Sequence, residues 1–433
     1  MTRFDRLPGT RDFYPDEMRV RRWIEDRWRD VALRYGFEEY DAPVIEPLEL
    51  FTDKSGEEIV EQVYSFVDRG DRRIALRPEM TPSLARMVAA RSQGLPKPIK
   101  WFSIPRLFRY ERPQRGRFRE FWQLNLDILG VAGVEADSEI MAAGVDALRA
   151  CGLNADDFEL RYSDRRLLDA FMTEVGVQPE PWVYAVLDKI PRLGAEPTLE
   201  SLIKGGIPID IAEQITKTLT NSRGQEIDRN EFLARLPNPG EHRDRLERLS
   251  SYLDAYGVGG FCRFDPRVVR GLAYYTGVVF EMYDRKGELR AICGGGRYDD
   301  LLEAVGGQTL PAVGFGLGEA VLIELLEARD RLPAPSSRCD VFVIPVSAND
   351  RRAAIEVLTQ LRGAGIAGDL ALSDQSVAKA LKRAAQASAH AAILIGERER
   401  KSGHPTFREL DTGNETTLSV EQIIARLTYG TPA

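Results

Sequence analysis

Apolar and polar residues alternate along FREFWQLNLDILG, residues 118–130, as in a β-strand that has one face in the protein core. The apolar face consists of Trp122, Leu124, Leu126 and Ile128. The other face carries an aromatic ring, two amides and a carboxylate, from Phe121, Gln123, Asn125 and Asp127. A surface strand would give the same alternation, but Phe121 and the arginine-rich segment before it favour the floor of a pocket.

The rest of the first 330 residues contains a mixture of helix and strand patterns. Helices are predicted over 17–35, 137–152 and much of 165–255, and Pro43 begins an extended segment. Strands are predicted in VYSFV, RIALRPE and IKWFSIPRLFRYE between residues 63 and 111, and again at 268–283 and 288–293. GGGRYDD at 294–300 is predicted to be a turn, and PAVGFGLG at 311–318 a strand that leads into a helix.

A second α/β pattern follows a segment with the composition of a linker, residues 329–338. VFVIPV (341–346) and AAILIG (391–396) are continuous apolar runs, as buried parallel strands require, and helices are predicted near 350–362 and 375–388. The predicted domain organisation is a core formed by 1–164 and 261–328, a helical insertion at 165–260, the linker 329–338 and an α/β domain at 339–433.

Composition places the chain among folded proteins. It has 433 residues, of which 43% are hydrophobic, and this length predicts two to four domains. No apolar run is long enough for a transmembrane helix and no signal peptide is recognisable, so we expect a cytoplasmic protein without a membrane partner. Four scattered cysteines and three histidines make a disulfide scaffold, a zinc finger or a histidine-rich metal site improbable.

One segment is strongly basic although the net charge of the chain is −8. Between Lys97 and Arg119 the sequence has eight Lys or Arg residues and one acid, Glu111, interleaved with aromatic residues. A solvated arginine-rich loop is one interpretation, and the interleaved aromatics favour a polyanion site.

Two glycine-rich segments have no recognised nucleotide-binding pattern. GGGRYDD lacks the G-K-[ST] ending of a phosphate loop, and GFGLG is not G-x-G-x-x-G in a β-α-β context. Consecutive glycines indicate a close approach of the backbone to a ligand or to another strand, and the residues alone leave both alternatives open. Without further information the prediction is a polyanion-binding α/β enzyme with a separate accessory domain.

Five segments, taken together, resemble the histidyl-tRNA synthetases of the class II aminoacyl-tRNA synthetase family. They occur in the family's order and spacing: LRPEMTP (76–82), FRYERPQRGRFREFWQ (108–123), VVRGLAYYTGVVFE (268–281), AICGGGRYDD (291–300) and PAVGFGLG (311–318). LPGTRDFYP and YDAPVIEPLELF near the N-terminus also fit. The resemblance covers the whole chain and implies an antiparallel sheet flanked by helices (an α+β catalytic core), a helical insertion and a C-terminal α/β anticodon-binding domain.

The resemblance also implies an activity and its residues. Histidine would react with ATP, with Mg²⁺ present, to give histidyl-adenylate, and the histidyl group would pass to tRNA(His). Arg270 and Arg109 would be catalytic, and Arg109, Glu111 and Arg117 would bind ATP. Histidine would be bound by Glu79, Met80, Thr81, Arg109, Gln123, Asp127, Arg270, Tyr274, Tyr275 and Tyr298. The segment around Pro43 would form a homodimer interface, the insertion would clamp the tRNA acceptor stem, and no protein-held metal is expected.

Each of these residues also has a structural interpretation. Arg270 would then form an ion pair within the fold, and each tyrosine would be an ordinary core residue.

The sequence departs from the family pattern at three positions. Ala273 replaces the usual aspartate of RGLDYYTG, and Trp122 stands where histidine is frequent. Val321 replaces the arginine of motif 3, which in the family lies near adenine and the γ-phosphate. ATP would then be held differently, or activation would be lost.

Two other functions therefore remain as alternatives. The regulatory subunit of ATP phosphoribosyltransferase, in histidine biosynthesis, reuses this fold without catalysis, and a sensor of histidine or uncharged tRNA would keep both domains without turnover. The intact basic loop and the complete C-terminal domain favour the ligase.

Overall fold

Strands dominate the middle of the chain and helices flank them. The computed structural model describes residues 4–52, 61–221, 227–236, 240–270, 274–333, 339–373 and 375–429. Its strands in chain order are β1 Glu38–Glu39, β2 Ile45–Pro47, β3 Tyr64–Val67, β4 Arg73–Leu76, β5 Ile99–Ser103, β6 Arg106–Phe108, β7 Glu120–Leu129, β8 Phe158–Asp164, β9 Cys262–Phe264, β10 Val278–Asp284, β11 Cys293–Arg297, β12 Ala312–Gly318, β13 Val341–Pro345, β14 Gly368–Leu370, β15 Ala391–Ile395, β16 Thr406–Glu409 and β17 Glu415–Thr417.

The chain divides into two units, Met1–Leu332 and Pro333–Ala433. In the first unit the α-helices are Pro15–Arg34, Glu49–Thr52, Thr81–Arg91, Val134–Arg149, Arg165–Glu174, Pro181–Leu187, Ile190–Leu193, Ala195–Lys204, Ile209–Leu219, Arg229–Arg235, Gly240–Ala255, Leu301–Ala304 and Glu319–Ala328. In the second they are Arg351–Gly363, Val377–Gln386, Glu397–Ser402 and Val420–Tyr429. Short 3₁₀ helices cover Gly259–Phe261 and Ala348–Asp350.

The large sheet of the first unit has the order β1-β5-β7-β12-β11-β10-β8-β9, with β6 also paired to β7. All its pairs are antiparallel except β1–β5 and β8–β9. The predicted strand at 118–130 is thus central in the sheet, and Leu124, Leu126 and Ile128 are buried in the main core as expected. A small antiparallel sheet, β2-β4-β3, lies apart from it.

Two long helices cover the apolar face of the large sheet. Helix Pro15–Arg34 begins with proline and two acids in its first turn, which suits a helix N-terminus, and buries Ile24 and Trp28. Helix Val134–Arg149 packs against β7 and β12 and is buried along most of its length. Both agree with the predicted helices to within three residues.

The second unit contains the sheet β14-β13-β15-β16-β17. β13 pairs in parallel with β14 and β15, as the two apolar runs predict. Successive residues of β13 enter two different cores, because Val341 and Val343 belong to one cluster and Phe342 and Ile344 to another. Burial of both faces explains the continuous apolar run. The antiparallel strands β16 and β17 carry no such run and were not predicted.

Several predictions around β10 and β11 are wrong in part. The strand predicted at 268–283 is described only from Val278 onward, as β10. GGGRYDD does not begin a turn, because Cys293–Arg297 form strand β11 between β10 and β12, while the strand predicted at 288–293 is absent from the described residues there apart from Cys293. Glycine disfavours strands in isolation. Here β11 is held by hydrogen bonds to β10 on one side and β12 on the other. Because its glycines have no side chains, side chains of other elements can lie against it.

A buried ionic cluster joins three elements of the first unit. Arg297 of β11 is fully buried and donates to Asp137 (2.9 Å) and to the carbonyl oxygens of Val131 and Gly133. Arg245, in helix Gly240–Ala255, donates to the other oxygen of Asp137 at 2.9 Å. Burial raises the pKa of Asp137 to about 6, against the opposing effect of the two guanidinium groups. Helix Gly240–Ala255 is therefore tied to the sheet by charge as well as by apolar packing.

The tight passage of β11 between its neighbours predicts a large cost for one methyl group. A Cβ atom at Gly295 would lie 2.5 Å from the Gly314 carbonyl oxygen and 2.6 Å from side-chain atoms of Phe280 and Phe315. We expect Gly295→Ala to lower the free energy of unfolding of the first unit by about 1–3 kcal/mol, measured by urea denaturation. The matched control is Gly260→Ala, whose Cβ would meet no described atom within 4 Å. Equal losses in the two variants would contradict this account.

Candidate active site

Functional side chains lie over the glycines of β11 and β12. A Cβ atom at Gly294 would lie 2.5 Å from Cζ of Arg270, and one at Gly316 would lie 2.5 Å from Cδ of Gln123. At Gly314 it would lie 1.9 Å from Oδ1 of Asp127. The glycines therefore permit an arginine, an amide and a carboxylate to lie flat against the sheet. Close approach to a neighbouring strand is seen at Gly295 and at Gly296, where a Cβ atom would lie 2.8 Å from the Val278 carbonyl oxygen, whereas pocket side chains lie against Gly294, Gly314 and Gly316.

The pocket over these strands is lined by five of the ten residues predicted to bind histidine. It is lined by Thr81, Arg270, Tyr274, Tyr275, Tyr298 and residues of β11 and β12. The ring centroid of Tyr274 lies 5.0 Å from that of Tyr275 and 6.0 Å from that of Tyr298. The three tyrosines thus form one cluster, which combines apolar ring surface with hydroxyl groups.

Two tyrosine hydroxyls are each bonded to a buried carboxylate. Tyr274 donates to Oε2 of Glu79 at 3.0 Å, and Tyr298 donates to Oδ1 of Asp127 at 2.5 Å. Both acids are at most 5% exposed. Burial raises the pKa of Asp127 to about 7, although the bond from Tyr298 opposes the rise.

Arg270 combines the two interpretations given to it. Its guanidinium lines the pocket and also forms an ion pair with Glu281, which accepts a further hydrogen bond from the hydroxyl of Tyr283. Burial would lower the pKa of Arg270, but Glu281 and neighbouring groups outweigh that effect and raise it well above its ordinary value. The pocket therefore contains a permanent positive charge.

Arg270 also has an unusual backbone. Its φ angle of 57° lies in the left-handed region, which residues other than glycine seldom adopt.

The basic loop 109–119 places Arg109 beside the segment that contains Glu79. Arg109 donates to the carbonyl oxygen of Pro78 at 2.9 Å, one residue before Glu79, and lies over the ring of Phe121. Glu111 forms an ion pair with Arg117. The three residues predicted to bind ATP thus lie on one loop, where the single acid already has a cationic partner.

The helix that begins at Glu319 lies beside this loop. A Cβ atom at Gly116 would lie 3.1 Å from Val321, and Arg115 forms an ion pair with Glu324 at 3.2 Å. Arg11 pairs with Glu319, and its guanidinium lies 3.8 Å from the ring centroid of Phe118. Two arginines from other segments thus flank the helix on which Val321 replaces the arginine of motif 3.

Met80 and Trp122, two further positions considered in the sequence, are both buried. Met80 is 1% exposed, with its sulfur 3.8 Å from Nη1 of Arg77, and is not among the residues that line the pocket. Trp122 belongs to the core side of β7, as predicted, and stacks under Arg21. Ala273 lies outside the described residues. The role of each site residue stays a prediction.

Sequence reasoning missed Glu281 and Arg165. Glu281 and Tyr283 are the half-buried positions of β10, an otherwise buried strand, and this alternation is a signal that the sequence carries. Arg165 stands at the start of a helix in the predicted insertion and belongs to no motif.

Comparisons with known proteins agree with this geometry. The profile of the histidyl-tRNA synthetase family matches residues 9–321, and that of the anticodon-binding domain matches residues 340–428. Histidine–tRNA ligase from Opitutus terrae is 42% identical over 98% of both chains. The chain belongs to the histidyl-tRNA synthetase family.

Two further similarities are found, one in sequence and one in fold. Histidine–tRNA ligase, chloroplastic/mitochondrial, from Arabidopsis thaliana is 40% identical over 96% of this chain and 85% of its own length. The crystal structure of histidyl-tRNA synthetase from Nostoc sp. PCC 7120 superposes with a TM-score of 0.81 at 23% identity over 99% of both chains, which establishes the fold. The predicted fold class is confirmed, and the family implies the use of ATP.

Two features are absent from the described part of the chain. No helix there is long and apolar enough to cross a bilayer. The same residues contain no group of three His, Cys, Asp or Glu side chains arranged to hold a metal ion.

The buried carboxyl of Asp127 predicts a pH-dependent effect on stability. Its pKa of about 7 in the folded chain exceeds the value of about 3.9 expected when unfolded. The group therefore favours the folded state only at acidic pH, and this contribution is lost as the pH rises through 7. Asp127→Asn removes the titration, so the variant should gain thermal stability relative to wild type between pH 5 and pH 8. The difference in unfolding midpoint between the two proteins, measured at both pH values without ligand, tests this. A difference independent of pH would contradict it.

Proposed function

We propose that the chain is a histidine–tRNA ligase, which activates L-histidine with ATP and transfers it to tRNA(His). The observation that carries the proposal is the pocket in which Asp127 with Tyr298, Glu79 with Tyr274, and Arg270 lie together beside the basic loop. It offers an acid for an imidazole nitrogen, an acid for an ammonium group and a cation for reacting anions. Family membership over nearly the whole chain supports the same function.

Arg270 and Arg109 would act in the first step. A carboxylate oxygen of histidine attacks the α-phosphorus of ATP, the bond from that phosphorus to the bridging oxygen breaks, and pyrophosphate leaves. Both reactants are anions, so fixed cations are needed to bring them together and to stabilise the charge of the transition state. Guanidinium groups bind phosphate and carboxylate oxygens in pairs, which suits this task.

Mg²⁺ would enter with the phosphates of ATP. Magnesium in such sites is held mainly by phosphate oxygens of the substrate and by water, in keeping with the expectation that the protein itself holds no metal. The ion would neutralise phosphate charge.

The C-terminal unit would supply tRNA selection. Residues 340–428 match an anticodon-binding domain, and single-stranded anticodon bases are accessible to protein side chains.

A regulatory subunit without catalysis is the second candidate, and the observation that favours it is Val321. Against it stand the complete anticodon-binding domain and the intact basic loop. Arg11 and Arg115 beside the Glu319 helix offer cations that the valine lacks. We therefore favour the ligase, located in the cytoplasm.

A homodimer is part of the proposal. The small sheet exposes apolar residues, with Ile45 48%, Phe66 47% and Val67 62% exposed, next to the segment around Pro43 that carries the interface in the family. The strand register places Ile45 and Phe66 on one face of this sheet, and an exposed apolar face is typical of a protein interface.

The first test is histidine-dependent exchange of pyrophosphate into ATP. Wild type should catalyse exchange, and Arg270→Ala should lower kcat/KM by a factor of about 10²–10³, because removing one cation at a developing charge costs about 3–4 kcal/mol. Arg22→Ala, at an exposed arginine of helix Pro15–Arg34, is the control and should match wild type.

The result separates the candidate functions. If folded wild type binds histidine without exchange, the ligase proposal fails and the regulatory function is favoured. If Arg270→Ala lowers thermal stability but leaves exchange unchanged, Arg270 is only an ion-pair partner of Glu281.

The second test concerns the dimer. Phe66→Asp places a charge in the exposed face of the small sheet, so it should convert a dimeric wild type into a monomer in analytical ultracentrifugation. Leu372→Asp, at a residue 75% exposed in the second unit, should stay dimeric. A wild-type chain that sediments as a monomer would overturn the proposed assembly.

A further inference from the structure

One buried arginine of the predicted insertion, Arg165, forms hydrogen bonds to the backbone of Arg270 and of Tyr275, which lie on the two sides of residues 271–273. Arg165 is 3% exposed and begins helix Arg165–Glu174. Its Nη2 donates to the carbonyl oxygen of Arg270 at 3.0 Å, and its Nη1 donates to the carbonyl oxygen of Tyr275 at 2.8 Å. One rigid guanidinium plane thus fixes the backbone of two residues that line the pocket.

The same guanidinium packs on an aromatic ring of the next helix. Cζ of Arg165 lies 3.8 Å from the ring centroid of Tyr184, which is 5% exposed in helix Pro181–Leu187. At this distance a buried arginine and a tyrosine ring attract each other through a cation–π interaction. Among the described residues the Tyr184 hydroxyl has no hydrogen-bond partner, so the ring, and not the hydroxyl, makes the contact.

Nearby charges from the same part of the chain act on both arginines. Burial lowers the pKa of Arg165 to about 10, and the negative charges of Asp169 and Asp188 oppose that shift. Asp188, which follows helix Pro181–Leu187, also raises the pKa of Arg270. The predicted insertion therefore places the ring of Tyr184 on Arg165 and the negative charge of Asp188 near Arg270.

We propose that Arg165 is a positioning residue for histidine activation and that Tyr184 holds it in place. Arg270 has a left-handed backbone that arginine seldom adopts, so its orientation needs support from outside its own segment. Arg165 gives that support through the two carbonyl oxygens. The inference rests on the proposed function, and it assigns part of the predicted insertion to the amino-acid site in addition to the expected contact with tRNA.

The test compares two substitutions of Tyr184 that differ in the aromatic ring. Tyr184→Leu keeps apolar volume but removes the π face, so the dissociation constant for histidine, measured by isothermal titration calorimetry, should rise about tenfold. Tyr184→Phe keeps the ring and should bind histidine within about twofold of wild type. The dissociation constant for ATP should stay within about twofold in both variants, which separates a positioning role from general loss of structure.

A second substitution tests the two hydrogen bonds themselves. Arg165→Lys retains a positive charge but presents a point donor in place of a planar fork, so it cannot hold both carbonyl oxygens in the same geometry. Histidine binding should weaken by about 10- to 100-fold, and kcat for pyrophosphate exchange should fall, with ATP affinity retained.

The matched control is Phe232→Leu, another ring-to-leucine change at a residue 1% exposed in the predicted insertion. It should lower the thermal unfolding midpoint as much as Tyr184→Leu and leave histidine affinity unchanged. Histidine affinity of Tyr184→Leu equal to wild type would overturn the proposal, as would an equal loss in the Phe232 variant. Wild type that binds histidine without exchange, with the Tyr184 pattern as expected, would refute the ligase and support the positioning role.

Discussion

Two neighbouring glycine-rich strands, β11 and β12, determine where the pocket of this chain lies. β11 and β12 carry glycine at the positions over which Arg270, Gln123 and Asp127 rest, and any larger residue would occupy the space of these groups. A sheet surface normally projects side chains about every second residue, and such a surface would push a small polar ligand away from the backbone. Here the side chains that lie over the glycines come from other segments. Gln123 and Asp127 belong to β7, and Arg270 belongs to the segment before β10. The positions of the other site residues depend on this glycine-rich area of the sheet.

Burial on this surface gives the acids their chemical character. Asp127 and Glu79 each accept a hydrogen bond from a tyrosine hydroxyl and are shielded from water, and in the proposed function their oxygens would also bind the ligand. The cations are treated differently. Arg270, Arg117 and Arg11 each have an acidic partner in the ligand-free chain, and an anionic substrate would compete for them. Each of these three guanidinium charges is therefore paired before any substrate enters.

The sequence predicts the parts of the site that depend on local periodicity. The alternation in β7 correctly separates Trp122 and Leu124 from Gln123 and Asp127, and the apolar runs identify β13 and β15. The glycine-rich segment was assigned to a turn because glycine has low intrinsic strand propensity, whereas β11 is stabilised by pairing on both sides. The contacts of Arg165 could not be predicted from the sequence, for another reason. Its partners are carbonyl oxygens 105 and 110 residues away, and no side-chain pattern records a contact to the backbone.

The two tyrosine–carboxylate bonds have a consequence for how the chain is made. Tyr274 reaches Glu79 across 195 residues, and Tyr298 reaches Asp127 across 171. A nascent chain that has emerged from the ribosome only as far as the predicted insertion contains both acids and neither tyrosine. Both acids stay solvated by water until the segments that carry Tyr274, before β10, and Tyr298, after β11, have been synthesised. Completion of the amino-acid pocket is therefore a late event in the synthesis of the first unit.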